Sequence, residues 1–503
     1  MSDPAPGDPV LSDPAEAEIV AWFSTRSERA VETACARIFL AGDTAFKLKR
    51  HVDLGYVDFS TPERRRWALD RELEFNRAAA PDIYRAVRKI TRTAAGGLEL
   101  DGAGPTVEFV LEMRRFDEGA VLAASPDAID GRMAEALGRA IAGFHAHAAL
   151  RPDGGWSALA FTVGSNAQLL RELAPQLGAD WVETLVELTA AELERQKPLL
   201  QARAAMGFSR HCHGDLHLGN ILVEAGRPIL FDCIEFNDLL SDLDVQYDLA
   251  FLLMDLDFRG RRDAAVRVLS AYLDEAGRSF PAALWEGLAA LPLMLSVRAG
   301  VRAHVSAHSG DPALARAYVE AGIAHLSPPP PVLVAVGGLS GTGKSSFARA
   351  IAPRLGASPG AVVLRTDEIR KRLLNVPPRE RLPDSAYAPD VYRRSYDTLI
   401  DNAGALLKAG RAVVLDATFI DPDLRARVEQ LARECGAPFH GVWLGAPRDV
   451  LEARVAARTG DASDATVQTL HDQIARHTSR VEWQVIDAAG PVEGSAAAWS
   501  RAT

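Results

Sequence analysis

A run of four prolines, Pro328-Pro329-Pro330-Pro331, constrains this chain of 503 residues more than any other feature. Proline has a fixed φ and no backbone N–H, so Ser327 and the four prolines cannot continue a helix and act as a stiff spacer. The length already calls for two or three domains. No internal repeat spans the spacer, so the halves are expected to be different folds. The expected layout is a flexible tail over 1–16, a first domain over 17–326, the linker 327–331, a second domain over 332–490 and a tail over 491–503. Two complete folds separated in this way are expected to act independently to first order.

Directly after the prolines, Val332-Leu333-Val334-Ala335-Val336 is a continuous β run, followed by Gly337-Gly338-Leu339-Ser340-Gly341-Thr342-Gly343-Lys344-Ser345-Ser346 and an apolar helix from Phe347. Strand, Gly-x-x-x-x-Gly-Lys-Ser and helix in that order make a P-loop. The backbone from Gly338 through Ser340, Gly341, Thr342 and Gly343 to Ser346 can curl round a phosphate at the positive end of the helix. Lys344 is expected on the β- and γ-phosphates of ATP and Ser345 on Mg²⁺. Downstream, strands at 361–364, 412–415 and 439–444 alternate with helices at 367–374, 391–407, 422–434 and 448–458, the pattern of an α/β parallel sheet. Asp416, closing the strand Val413-Val414-Leu415, is the natural Walker-B-type carboxylate for the metal. Asp367 and Arg370 lie one helical turn apart at the carboxyl end of the preceding strand, where open α/β sheets bind ligands. Arg454 and Arg458 lie four apart on a later helix.

The first half carries different chemistry. His211-Cys212-His213-Gly214-Asp215-Leu216-His217-Leu218-Gly219-Asn220 is followed by Ile229-Leu230-Phe231-Asp232-Cys233-Ile234-Glu235. A kinase catalytic loop needs a base (Asp215), an amide for one metal (Asn220) and a carboxylate on the next loop (Asp232). Upstream, Gly42-Asp43 turns a β-hairpin whose second strand holds Lys47 and Lys49, and Thr61-Pro62-Glu63 opens a long helix carrying Glu72. Arg298 and Arg302 sit four apart on a late helix, either facing an acceptor substrate or forming ordinary surface.

Composition removes several classes. With 48% hydrophobic and 24% charged residues the chain reads as globular. A formal charge of -11 argues against non-specific binding to nucleic acid or an anionic membrane. Four scattered cysteines, Cys35, Cys212, Cys233 and Cys435, suit a reducing cytoplasm. The start has no signal-peptide pattern, and no window reaches 18 uninterrupted apolar residues.

His213-Gly214-Asp215-x-His217-x-x-Asn220 resembles the aminoglycoside phosphotransferase and choline kinase branch of the protein-kinase-like fold, with Leu218 where proline is frequent and Ile234-Glu235 in place of the protein-kinase Phe-Gly. This implies a bilobal α+β fold, Lys47 on the phosphates, Glu72 as its partner (Lys49 being the competitor), Asp215 as base, and Asn220 and Asp232 on Mg²⁺. The second half resembles the P-loop kinases of the polynucleotide kinase and zeta toxin type, in an α/β P-loop NTPase fold. That resemblance implies Asp367 activating an acceptor hydroxyl, Arg370 holding the acceptor, and Arg454 and Arg458 as lid arginines. Together they lead to an expected cytoplasmic, ATP- and Mg²⁺-dependent phosphotransferase with two nucleotide sites. Each would transfer the γ-phosphoryl to a small-molecule hydroxyl: a sugar, aminoglycoside-like compound, polyol or nucleoside. Nucleic acid would enter only as an acceptor of the second domain, and no membrane partner is expected. The alternative is one active kinase with the other domain as a nucleotide-dependent regulator.

Overall fold

The structure, a computed structural model, describes residues 14–53, 57–457, 462–477 and 480–500. Its first helix, Pro14–Ser24, starts inside the stretch expected to be a tail, of which residues 1–13 lie outside the described residues. A six-stranded antiparallel sheet follows, of β1 (Arg29–Glu32), β2 (Ala36–Ala41), β3 (Thr44–Lys49), β4 (Tyr84–Arg92), β5 (Leu98–Leu100) and β6 (Thr106–Arg114), in the order β1-β2-β3-β6-β4-β5. The β2–β3 hairpin turns through Gly42 at a φ of 58°, a left-handed conformation that glycine adopts without strain. The helix Pro62–Ala79 begins where Thr61 accepts from the Arg64 amide with proline inside the first turn. It buries Ala68, Leu69, Glu72 and Asn76, which brings a carboxylate and an amide under the sheet.

The second lobe is helical. Between its helices lie β7 (Ser209–His211), the hairpin of β8 (Ile221–Glu224) and β9 (Arg227–Leu230), and β10 (Asp242–Asp244), which pairs antiparallel with β7. The helix Val245–Phe258 is buried continuously from Val245 to Leu256, with the apolar run Leu249 to Met254 flanked by the buried Asp248 and Asp255. The stretch Ala283–His308 is long and apolar enough to cross a membrane by composition, but 78% of that window is buried inside the fold.

After the prolines comes a five-stranded parallel sheet of β11 (Leu333–Gly338), β12 (Val362–Arg365), β13 (Val413–Asp416), β14 (Phe439–Gly445) and β15 (Gln484–Asp487), ordered β12-β13-β11-β14-β15. Every residue of the central β11 is buried, because helices cover both faces. This is the doubly covered sheet of a P-loop NTPase.

Two expectations need correction. The stretch 491–503 is not simply a tail, because the helix Val492–Ser500 seats Ala496 and Trp499 against the P-loop helix Lys344–Ile351, with the Trp499 ring edge-on to Phe347. The two halves are also not free of one another. Ser327 to Pro330 are exposed, as a spacer should be, but the helix Arg262–Ala276 of the first half covers β12, an edge strand that would otherwise be left open. Val266 of that helix joins the apolar cluster of Val334, Val336 and Phe347. Ser270 Oγ accepts from the Val363 amide at 3.1 Å, Arg262 Nε donates to the Pro359 carbonyl at 2.7 Å, and Arg372 pairs with Asp274. Proline stiffness governs the linker and says nothing about the surfaces on either side of it.

Trp499, 3% exposed, gives a direct check on the docked last helix. Trp499→Ala should cost about 3–5 kcal/mol in denaturant unfolding of the second domain. An unchanged midpoint would return the segment to the status of a tail.

Candidate active sites

The catalytic-loop residues of the first half are held from below. Asp248, with none of its surface exposed, accepts from the His213 amide at 3.1 Å, the Gly214 amide at 2.8 Å and His145 Nε2 at 3.0 Å. Tyr272 Oη lies 3.0 Å from the other His145 nitrogen. Two turns further along the same helix face, Asp255 accepts from the Leu218 amide at 3.1 Å. Gly214 has a φ of 84°, and a Cβ there would stand 2.6 Å from the Leu240 carbonyl, so only glycine fits. His213 Nε2 donates to the Phe231 carbonyl at 2.9 Å, and burial pushes its pKa down.

That bond places Asp232, which has the left-handed φ of 64° that non-glycine residues adopt under constraint. The Cys233 amide donates to Asn76 Oδ1 at 2.8 Å, pinning the same turn to the Glu72 helix. Asn220 Nδ2 donates to the Asp215 carbonyl at 2.9 Å and to Asp215 Oδ2 at 3.0 Å, which leaves its Oδ1 as the atom that would meet a metal. Burial pushes the Asp215 carboxyl up, but the His217 hydrogen bond and the charges of His217, His213 and Arg298 outweigh it and hold the group well below the usual carboxylate range.

Glu72 grips both lysines, Lys47 Nζ on Oε1 at 2.6 Å and Lys49 Nζ on Oε2 at 2.7 Å. The second partner of each separates them. Lys47 reaches Asp232 Oδ1 at 2.9 Å, whereas Lys49 is buried against Glu235 at 2.5 Å. The geometry therefore puts Lys47, not Lys49, beside the metal candidate, and it gives Glu235 a task the sequence did not reveal. Two lysines on one strand face need two acids, and that was the available signal. Arg298 does not face an open cleft and is not ordinary surface: 5% exposed, it lies over the rings of Tyr247 and Phe251, with Nη2 3.9 Å from Asp248 Oδ1. Arg302 lies over Tyr318.

In the second half a cleft of ≈ 1340 Å³ is lined by the P-loop, Asp367, Arg370, Asp416 and Arg454. Gly341 has a φ of 88°, and a Cβ there would lie 2.8 Å from the Leu451 carbonyl. Ser345 Oγ donates to Asp416 Oδ2 at 2.6 Å, and Arg365 donates to the same carboxylate oxygen at 3.0 Å and to Ser345 Oγ at 2.9 Å. Lys344 Nζ donates to the Leu339 carbonyl at 2.9 Å. Gln473 Oε1, from the helix Val467–Arg476, accepts from the Ser340 amide at 2.8 Å. Arg370 Nη1 donates to Asp367 Oδ1 at 3.0 Å, and its guanidinium stands over the Tyr387 ring. Arg454 spends its guanidinium on the carbonyls of Ala488, Ala489 and Gly490. Arg458 lies outside the described residues. Both donor sets, carboxylate with amide and carboxylate with hydroxyl, are the hard oxygens that suit Mg²⁺.

Two family models cover the chain: the phosphotransferase enzyme family matches residues 48–291 and an AAA domain matches residues 333–479. An uncharacterized protein of Mycobacterium tuberculosis is 32% identical over 486 residues, covering 92% of this chain and 93% of its own length. The chain belongs to that family, a phosphotransferase domain joined to a P-loop kinase domain. It is an ATP-dependent phosphotransferase. The adenylyl-sulfate kinase of Myxococcus xanthus is 33% identical over 117 residues, which is 23% of this chain and 59% of that protein. Among solved structures, a gluconokinase from Sinorhizobium meliloti is similar over 34% of this chain and 93% of its own at 23% identity (TM-score 0.24). The tunicamycin resistance protein of Deinococcus radiodurans is similar over 34% and 95% at 21% identity (TM-score 0.26).

The depressed Asp215 fixes the sign of a pH test. A base is active when ionised, and an ordinary aspartate loses its charge near pH 3.9, so a carboxyl held lower stays competent throughout the usual acid range. With the P-loop disabled by Lys344→Ala, ATP turnover at the first site should show no acid limb down to about pH 5. Half-loss near pH 6 would exclude Asp215 as the base.

Proposed function

We propose that both sites transfer the γ-phosphoryl group of ATP to a hydroxyl of a small molecule. The observation that carries this reading is that each cluster unites a candidate base with hard-oxygen ligands and a lysine: Asp215, Asn220, Asp232 and Lys47 in one, Asp367, Asp416, Ser345 and Lys344 in the other. Bound Mg²⁺ would supply neutralisation of phosphate charge in each. The residues do the positioning, which is most of what phosphoryl transfer requires.

In the first site Asp215 accepts the acceptor hydroxyl's proton, Lys47, oriented by Glu72, holds the phosphates, and Asn220 and Asp232 hold the metal. In the second, the backbone from Gly338 to Ser346 and Lys344 hold the phosphates, while Ser345 and Asp416 hold the metal. There Asp367 takes the acceptor's proton and Arg370 grips the acceptor. Arg454, once released from the carbonyls at 488–490, or Arg458 closes over the transferring group. A small-molecule acceptor is in keeping with the adenylyl-sulfate kinase to which 117 residues of this chain are similar.

The test is ADP release against sugars, aminoglycosides, polyols and nucleosides. With an acceptor found for the first site, Asp215→Asn should lower turnover by about 10²–10⁴-fold while ATP binding is kept. With one found for the second, Asp367→Asn should abolish acceptor phosphorylation while slow hydrolysis of ATP by water persists. Wild-type acceptor phosphorylation in either variant would remove that residue from the mechanism.

A further inference from the structure

The P-loop site connects to the other domain through buried charge. Arg365, 4% exposed, divides its guanidinium between the metal-holding pair and an acid: Nε to Asp416, Nη2 to Ser345 and Nη1 to Glu368 Oε1 at 3.0 Å. Glu368 Oε1 also stands 4.0 Å from Arg349 and 3.9 Å from Arg139. Arg349, one turn along the P-loop helix from Ser345, pairs with Glu135 at 2.6 Å. Glu135 and Arg139 belong to the helix Gly131–His147 of the kinase-like domain. Ten residues beyond Glu135, about 15 Å along that helix, is His145, which holds Asp248 and through it the amides of His213 and Gly214. The mechanism in either site uses none of Arg365, Glu368, Arg349 or Glu135.

We propose that Arg365 senses the loading of the P-loop and that the chain Arg365, Glu368, Arg349, Glu135 couples it to the loop carrying Asp215. The inference rests on the reading of Ser345 and Asp416 as metal holders. Once Ser345 Oγ and Asp416 turn their lone pairs to a dication, the Arg365 guanidinium loses two acceptors, gains a repulsive neighbour and has no water to retreat into. It then leans on Glu368. Glu368 withdraws from Arg349 and Arg139, and these two fall back on Glu135, the acid of the kinase-like helix. A short displacement there reaches His145 directly, because a packed helix moves as a unit. Arg365 and Glu368 are thus positioning residues, and the two sites are not independent.

The test uses the full chain with Asp232→Ala, which confines nucleotide to the P-loop, and a non-hydrolysable ATP analogue with Mg²⁺. Binding is followed by calorimetry and the catalytic loop by hydrogen exchange of the 211–224 segment. Loading should change loop exchange by about fivefold or more, within the usual range of coupling between sites. Metal-free nucleotide should do less. Adding Glu135→Gln, or separately Arg349→Gln, should preserve P-loop binding and bring the loop response below about twofold. Binding without any loop response, or an equal response in both uncoupled variants, would overturn the coupling alone. Absence of Mg²⁺-dependent binding would overturn the reading of Ser345 and Asp416 and this inference with it.

Discussion

A carboxylate taken out of water must find its donors inside the protein or lose its charge, and each site of this chain is organised by one that finds them. Asp248 receives two backbone amides and an imidazole, which fixes the turn of the loop before Asp215 is placed on it. Asp416 receives a hydroxyl and a guanidinium, which fixes the P-loop serine. Glu72 does the same for two lysines at once. In each case the reactive group is a neighbour of the buried carboxylate, so the geometry at the surface of the cleft is inherited from satisfied polar contacts beneath it.

The junction between the domains follows the same rule. The edge strand β12 is closed by a helix of the other domain, with apolar contact through Val266 and polar contact through Ser270 and Arg262. Around it four arginines, Arg139, Arg267, Arg349 and Arg365, share two acids, Glu135 and Glu368. Burial and the nearby Arg349 push the Arg267 pKa down. Asp416 on Arg365 and Asp274 on Arg372 add further carboxylates to this charged network, which reaches the P-loop, where the charge of a nucleotide arrives.

The residues that form the clefts were largely readable, because loop chemistry is local. Asp215 and Asn220 are five residues apart, and the P-loop is one continuous segment between a strand and a helix. What stabilises those loops was not readable. Asp248 meets His145 across 103 positions and Gln473 meets Ser340 across 133, and no spacing rule spans such distances. Element bounds in the second domain fell within a residue or two where apolar runs were long. The strand β15 escaped because only Ile486 of its four residues is buried. The last helix escaped because only Ala496 and Trp499 among its apolar residues are buried. Arg365 carried a faint signal, a charge closing an otherwise apolar strand just before Asp367.

The central claim is that one folded chain holds two nucleotide sites of different architecture. Titration of the full chain with a non-hydrolysable ATP analogue and Mg²⁺ tests it most directly. The account predicts two equivalents bound per chain, one lost in Lys344→Ala, the other lost in Asp232→Ala, and none left in the double variant. A single equivalent in the wild type, abolished by one substitution and untouched by the other, would contradict it.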